Sequence, residues 1–388
     1  MVFIRKAVKI LILILVWPGI LFFCPEAPAG QFTLLSTLNL EGDYNDNINY
    51  DRIDPKEDYV FSIVPTISLI SDAERSYFQA RAWFDILRYA RESEEDLENS
   101  EYSIWGKYNL SRRTSSNFNL SFRKDTTQDG ELDETGQITV RQGREQYLGN
   151  GEISWKMSEL ITSSVSYAYL MRKYTDFTGQ DYEQHRISLS IGRSFHNGLD
   201  TISLRPSYYH QIGDTYKLDY YSASIGWTHI FDENFRLSGY VGGRDYNKEN
   251  DNGSNGSSSG VIVDFNLTRT KELSKVVVGY RRDLYTQIGG GQTDVDHVYC
   301  QLYRGVFQRF GIALNGDIYF RRNDRGASND EQTYFKVSPA ISYNLTERHV
   351  LEMGYSYANS YSRALENNRT VDQSKVWIAV KLRFENIF

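Results

Sequence analysis

The sequence predicts an all-β protein, a transmembrane antiparallel up-and-down β-barrel of about 18 strands, with 16 as the alternative count. Three observations carry that expectation. Apolar and polar residues alternate in run after run, short turns recur at a regular spacing with longer polar connections between them, and a leader-like segment opens the 388-residue chain. Tyr (29) and Phe (20) are plentiful and Pro (7) is scarce. Beyond the leader no stretch resembles a transmembrane helix, so contact with a membrane falls to strands, whose backbone groups are all satisfied in a bilayer only when the sheet closes.

The first element is a predicted signal peptide over residues 1–29. Arg5, Lys6 and Lys9 form a basic start, residues 10–23 an apolar run, and Ala27-Pro28-Ala29 a small-residue cleavage site. The run is shorter than a membrane-spanning helix needs and carries Pro18 and Gly19. Bulky Phe23 ahead of Cys24 argues against lipid attachment. Residues 30–388 are expected to form a single outer-membrane β-barrel domain. Cleavage leaves 40 basic and 49 acidic residues, a net charge of -9, which is not the balance of a nucleic-acid binder. Only Cys300 then remains, so no internal disulfide, zinc ribbon or covalent haem is expected, and no cofactor.

The strands follow from parity. Phe32, Leu34, Leu38 and Leu40 share one face, as do Phe118, Leu120 and Phe122. Ile187, Leu189 and Ile191 repeat the pattern, followed by Phe235, Leu237 and Val241, then Val261, Val263, Phe265 and Leu267, then Ile312, Leu314, Ile318 and Phe320. The other parity carries Ser, Asn, Arg, Asp or Tyr, which is the apolar-out, polar-in dyad of an outer-membrane barrel. Short turns fall at 71–75, 112–116, 156–160, 195–199, 231–235, 271–275, 308–311 and 345–349. Longer connections fall at 44–58, 92–99, 125–143, 175–182, 213–217, 247–258, 287–294, 322–330 and 362–371. Eight short turns alternating with nine long connections require eighteen strands, with both chain ends on the periplasmic side. Parity is least clear over 213–231 and 287–309, where aromatics occupy both faces.

Pro65, Pro206 and Pro339 fall inside predicted strands, where each removes a ladder donor; a bulge or a strand end near the interface is the expected setting. Tyr and Trp gather toward strand ends, suited to lipid head groups, while Trp83 and Trp105 share parity with charged neighbours and so are expected to point inward.

No catalytic signature is present, and an enzyme is not expected. The six His are scattered, with no HExxH spacing and no GxSxG elbow. Acid concentrates in three connections: residues 44–58 sum to -3, 92–99 to -5 and 125–134 to -5, leaving the wall slightly basic. These loops are expected on the outside, where Asp51, Asp54 and Asp58, or Asp129, Glu131 and Asp133, are candidate ligands for divalent cations that also bridge lipopolysaccharide; solvated loops are the plainer reading. Candidate lumen-lining residues are Arg81, Asp85, Lys107, Arg123, Arg186, Arg205, Arg236, Arg244, Arg281, Asp317 and Arg321. Such a lining suits an anionic or polyhydroxylated solute, or simply solvates and pairs across the pore.

At "LEGDYNDNINYDRIDPKEDYVFSIVPTISLI", residues 40–70, the chain resembles the outer-membrane barrel family associated with exosortase (PEP-CTERM) and exopolysaccharide systems of Gram-negative bacteria. Tyr44, Asp46, Asn47, Asp58, Pro65 and Ser68 carry the resemblance. It implies a part in making or exporting surface polysaccharide and supplies no functional residues. The competing expectations are a porin-like conduit for polysaccharide or small solutes, and a structural or interaction barrel of an envelope complex without an open pore. The sheath of a multihaem electron conduit is a third. Expected partners are outer-membrane lipid, lipopolysaccharide, the barrel-assembly machinery, polysaccharide and other export-system proteins, with no nucleic acid.

The last strand closes the reading. In "KVWIAVKLRFENIF" the residues Ile378, Val380, Leu382 and Phe384 share one face, and Phe388 ends the chain, a pattern that resembles the signal by which assembly machinery recognises barrels. Asn386 departs from it, since an apolar residue is usual two places before the end. A closed barrel requires this strand to pair with the first, near residues 32–43.

Overall fold

The computed structural model describes residues 31–175, 181–195, 198–253, 255–287, 290–323, 331–363 and 368–387. The predicted leader at 1–29 and Phe388 lie outside the described residues. Alternation is converted directly into extended chain, giving β1 (Gln31–Asn45), β2 (Asp58–Asp72), β3 (Ser76–Tyr89), β4 (Leu97–Asn109), β5 (Thr114–Thr126), β6 (Gly143–Lys156), β7 (Ile161–Tyr174), β8 (Tyr182–Phe195) and β9 (Asp200–Gly213). The second half adds β10 (Tyr216–Asp232), β11 (Phe235–Asn250), β12 (Asn255–Lys271), β13 (Ser274–Thr286), β14 (Gln292–Gly305), β15 (Phe310–Asn323), β16 (Glu331–Asn344), β17 (His349–Arg363) and β18 (Asn368–Ile387).

Each strand pairs antiparallel with its sequence neighbours, and β18 pairs with β1 from Lys375 opposite Asn45 to Ile387 opposite Thr33. The sheet is a closed 18-stranded up-and-down barrel. Closure leaves no strand at an edge for its full length, which is why the chain needs a regular strand at its end.

Register sorts the side chains into two surfaces. Leu40, Ile63, Ile67, Leu120, Val165, Ile187, Ile225, Val241, Phe265, Ile341 and Ile378 all stand exposed on the outer one. Opposite-facing positions are Ser, Asn, Arg, Asp or Tyr. An exposed apolar belt of this extent around a closed barrel is the surface that lipid tails cover.

Two expectations are corrected here. Residues 213–217 are not a long connection: β9 and β10 are separated by Asp214 and Thr215 alone, and most of 247–258 is strand. The chain spends those residues on height, since β10, β11 and β12 are 17, 16 and 17 residues long. The prolines, too, sit in mid-strand and not at bulges or strand ends. Pro65 lies opposite Leu38, Pro206 opposite Ala223 and Pro339 opposite Leu314, each on the outer face. On its other side each ladder skips two pairs and resumes in the same register. A missing donor therefore costs local bonds without shifting the sheet.

Inside, two segments leave the wall. Residues 127–142 turn into the lumen, beginning with a short helix, α1 (Thr127–Thr135). The upper end of the β13–β14 hairpin also folds inward, burying Leu284 against Tyr209, Tyr216, Leu218, Tyr220 and Tyr246.

Candidate solute path and its constriction

α1 crosses the barrel because its two sides match opposite walls. Leu132, its one large apolar residue, is buried with Val295, Tyr319, Tyr334 and Ala358 from β14–β17. On the other side, Glu131 and Glu134 face Arg144 of β6 and Arg172 of β7. Arg144 also binds Asp125 through Nε at 2.9 Å and Nη2 at 2.8 Å. Tyr319 donates its hydroxyl to the Asp133 carbonyl at 2.7 Å. Gly130 makes this close approach possible: a Cβ there would fall 1.8 Å from Arg144 Nη2. At the helix end, Gly136 has φ of +67°, and a side chain there would also collide with Tyr319. Helix backbone and guanidinium thus pack face to face where any larger residue would force them apart.

The two glutamates differ in electrostatic setting. Burial pushes the Glu131 carboxyl above the ordinary range, and neither of its oxygens accepts a hydrogen bond among the described residues. Burial also opposes ionisation of Glu134, but Arg172 and Arg144 outweigh it and hold that carboxyl below the ordinary range. Asp125, Glu131 and Glu134, expected outside, are therefore inside, where Arg144 and Arg172 meet them. Arg141 then ties this segment to the outer rim: it bonds Gln128 at 2.8 Å, Glu95 at 2.9 Å and the Ile48 carbonyl at 3.1 Å.

The cation-ligand reading of the acidic loops gains a different account. Asp51 accepts the Ile53 amide at 2.8 Å, and Asp58 accepts the Arg91 and Glu92 amides at 3.0 and 2.8 Å. Glu131 faces arginines, and among the described residues no group of three or more His, Cys, Asp or Glu has metal-binding geometry. Three of the six histidines pair with carboxylates: His210 with Asp219 and His229 with Asp200 at opposite ends of the β9–β10 ladder, and His297 with Asp317 across β14–β15.

The residues read as lumen-lining all fall on the inward parity. Arg81 lies opposite Ser68 and Ser103, and Lys107 opposite Tyr77 and Asn117. Six are engaged: Asp85 accepts from Ser62, Arg123 pairs with Asp125, Arg244 with Asp294, Arg281 with Asp264 and Asp317 with His297, while Arg321 donates to Gln332 and Gln137. Arg81, Lys107, Arg186, Arg205 and Arg236 have no carboxylate within 4.0 Å among the described residues, and all five are exposed.

Two of these five share a cavity of about 470 Å³ on the β6–β13 side of the lumen. The Arg205 guanidinium stands over the Tyr240 ring at 3.9 Å, and that of Arg186 over Tyr209 at 5.1 Å. Tyr209 in turn stacks on Tyr220 at 4.3 Å. Serines of β7–β10 line it further, Glu152 of β6 stands at one side, and Asp264, Arg281, Arg282 and Asp283 close the other. Sequence parity identified the arginines; it missed Tyr209, Tyr220 and Tyr240 as their supports, because neighbouring Tyr208 and Tyr221 put aromatics on both faces.

A closed barrel with an apolar outer belt and a polar lumen narrowed by an inward segment defines a class: the chain is a porin-like β-barrel of the outer membrane. A family model described as "Putative beta-barrel porin 2" matches residues 27–151. Among solved structures, Pseudomonas aeruginosa OpdK, determined with vanillate, superposes with a TM-score of 0.50 at 10% identity, covering 91% of this chain and 99% of that one. A second structure of the same protein, titled OccK1 (OpdK), gives 0.50 at 9% identity, with 91% and 99% covered. At such identity the likeness concerns the fold. No curated protein matches the sequence.

Proposed function

We propose that this barrel is a selective conduit for small anionic, hydroxyl-rich solutes, with sugar acids and short acidic oligosaccharides as the class its lining suits. The observation that carries the reading is the pair Arg186 and Arg205, exposed in one cavity, without carboxylate partners among the described residues, and held over tyrosine rings. A guanidinium stacked on a ring is oriented and keeps its N–H fork available for a solute carboxylate. The serines beside it offer hydroxyls in both hydrogen-bonding roles. A role in exopolysaccharide export is the narrower form of the same reading, supported by the resemblance at residues 40–70. The competing interaction barrel without an open pore draws support from α1, which lies across the lumen. In either form, lipid and lipopolysaccharide surround the belt, and the assembly machinery inserts it.

Planar-bilayer recording tests the proposal. A steady current with a reversal potential favouring anions, blocked by galacturonate more than by glucose, is expected. The double substitution Arg186→Gln/Arg205→Gln should abolish that preference while leaving conductance. A silent bilayer overturns the conduit, and cation preference overturns the solute class. Loss of surface polysaccharide in a deletion strain supports the narrower role, and an unchanged coat refutes it.

A further inference from the structure

We infer that the upper end of the β13–β14 hairpin is a gate with two positions, folded into the lumen or zipped onto the free side of β12. The wall is incomplete here among the described residues. The β12–β13 ladder runs from Lys271 opposite Ser274 up to Val263 opposite Arg282, and there it stops. Above that point β12 continues through 255–262 with β11 as its only strand partner, and β13 continues through 283–286 with β14 as its only partner. Every other ladder in the sheet runs over more pairs.

The described residues 283–287 and 290–294 of the hairpin lie inside, reaching past β12 to the inner faces of β9–β11. Leu284 is buried among their tyrosines, Tyr220 donates to Asp283 at 3.0 Å, and Thr286 donates to Gln211 at 3.1 Å. Lys248 bonds the Gly290 carbonyl at 2.5 Å, and the guanidinium of buried Arg244 is taken by Asp294.

The sequence of β13 is written for the wall as well. Val276, Val278 and Tyr280 face outward, and the next two residues of that parity are Arg282 and Leu284. Extending the existing register sets Asp283 opposite Ile262, Leu284 opposite Val261, Tyr285 opposite Gly260 and Thr286 opposite Ser259. Leu284 then joins Val261 on the outer belt, and Asp283 and Tyr285 face the lumen as parity demands. The receiving run Asn255–Gly260 consists of small residues, "NGSSSG", and offers no bulk against an arriving strand. One segment thus fits two packings, the arrangement on which discrete switching depends. Where the conduit reading above holds, a solute carboxylate competes with Asp294 for Arg244 and with Asp283 for Tyr220, and so favours the outward position.

Paired cysteines in a Cys300→Ser background test the gate. Gln211→Cys/Thr286→Cys traps the inward position and Ser259→Cys/Thr286→Cys the outward one. Both pairs are expected to cross-link on oxidation of the assembled barrel, the first lowering the conductance level in potassium chloride and the second raising it, with reduction restoring the parent level. Failure of residues 259 and 286 to cross-link, or equal conductance of the two locked forms, overturns the gate. The non-cysteine variant Tyr216→Leu weakens the inward position alone and should lengthen dwell at the higher level; unchanged dwell also overturns it. Conductance at high salt is read without any solute, so the gate and the anion preference fail separately.

Discussion

Glu131 and Glu134 sit one helical turn apart and answer to pH in opposite senses. Glu131 has a raised carboxyl when α1 is docked, so docking favours its protonated form. Its contribution is complete below the ordinary glutamate value and is lost as pH rises through the raised one. Glu134 is held low, so its contribution is complete above the ordinary value and is lost as pH falls through the depressed one. α1 should therefore be held most tightly in the mildly acidic window between the two. Open-channel noise measured against pH should pass through a minimum there. Glu131→Gln should keep noise low up to neutral pH, because an amide needs no charge in that site. Glu134→Gln should raise it throughout, leaving the guanidinium groups of Arg144 and Arg172 with one carboxylate fewer. Loss of a partner from a buried ion pair typically costs roughly 3–5 kcal/mol.

At the scale of elements, β18 closes the barrel and carries the expected assembly signal. Its outward row Ile378, Val380, Leu382 and Phe384 pairs across to Gly42, Leu40, Leu38 and Ser36 of β1. Deleting Phe388 should reduce the heat-modifiable barrel recovered from membranes, and undiminished recovery would count against the assembly-signal reading. The eighteen strands and their closure were legible because a barrel wall has two unlike solvents, and every strand must repeat the same dyad. The helix was not legible. "TQDGELDET" has one large apolar residue and a central glycine, so no 3.6-residue period announces it. What makes it a helix is tertiary: arginines on one wall, a tyrosine-lined pocket on the other. Parity placed the eleven charged residues on the inner face, yet which of them keep a free fork depends on partners brought from distant strands, such as Asp294 for Arg244. Residues 213–231 and 287–309 read ambiguously because β10 carries tyrosines on both faces and the β13–β14 hairpin leaves the wall.

At the scale of the whole molecule, an 18-stranded wall encloses more space than its own side chains fill, and two inward segments narrow it. Removing residues 128–141 should leave the barrel intact, since β5 and β6 are paired throughout by their own ladder. Conductance should then rise and anion preference fall, because ions bypass the arginine-lined side; an unchanged current would show that α1 does not set the bore. The rim above is tied with equal thoroughness. Tyr44 bonds Glu57 at 2.5 Å, Asp46 accepts the Ser374 amide at 2.7 Å, Asn47 bonds the carbonyls of Asp51 and Asp372, and Asp58 caps the turn at Arg91 and Glu92. These are four of the six residues on which the resemblance of 40–70 to polysaccharide-associated barrels rests. Their work is to knot the first outer loop to the last strand and to the loop beside it, and none of them reaches the arginine-lined cavity. A rim knotted by its own side chains is a collar, and a collar of this build leaves the lining of the cavity beneath it unconstrained.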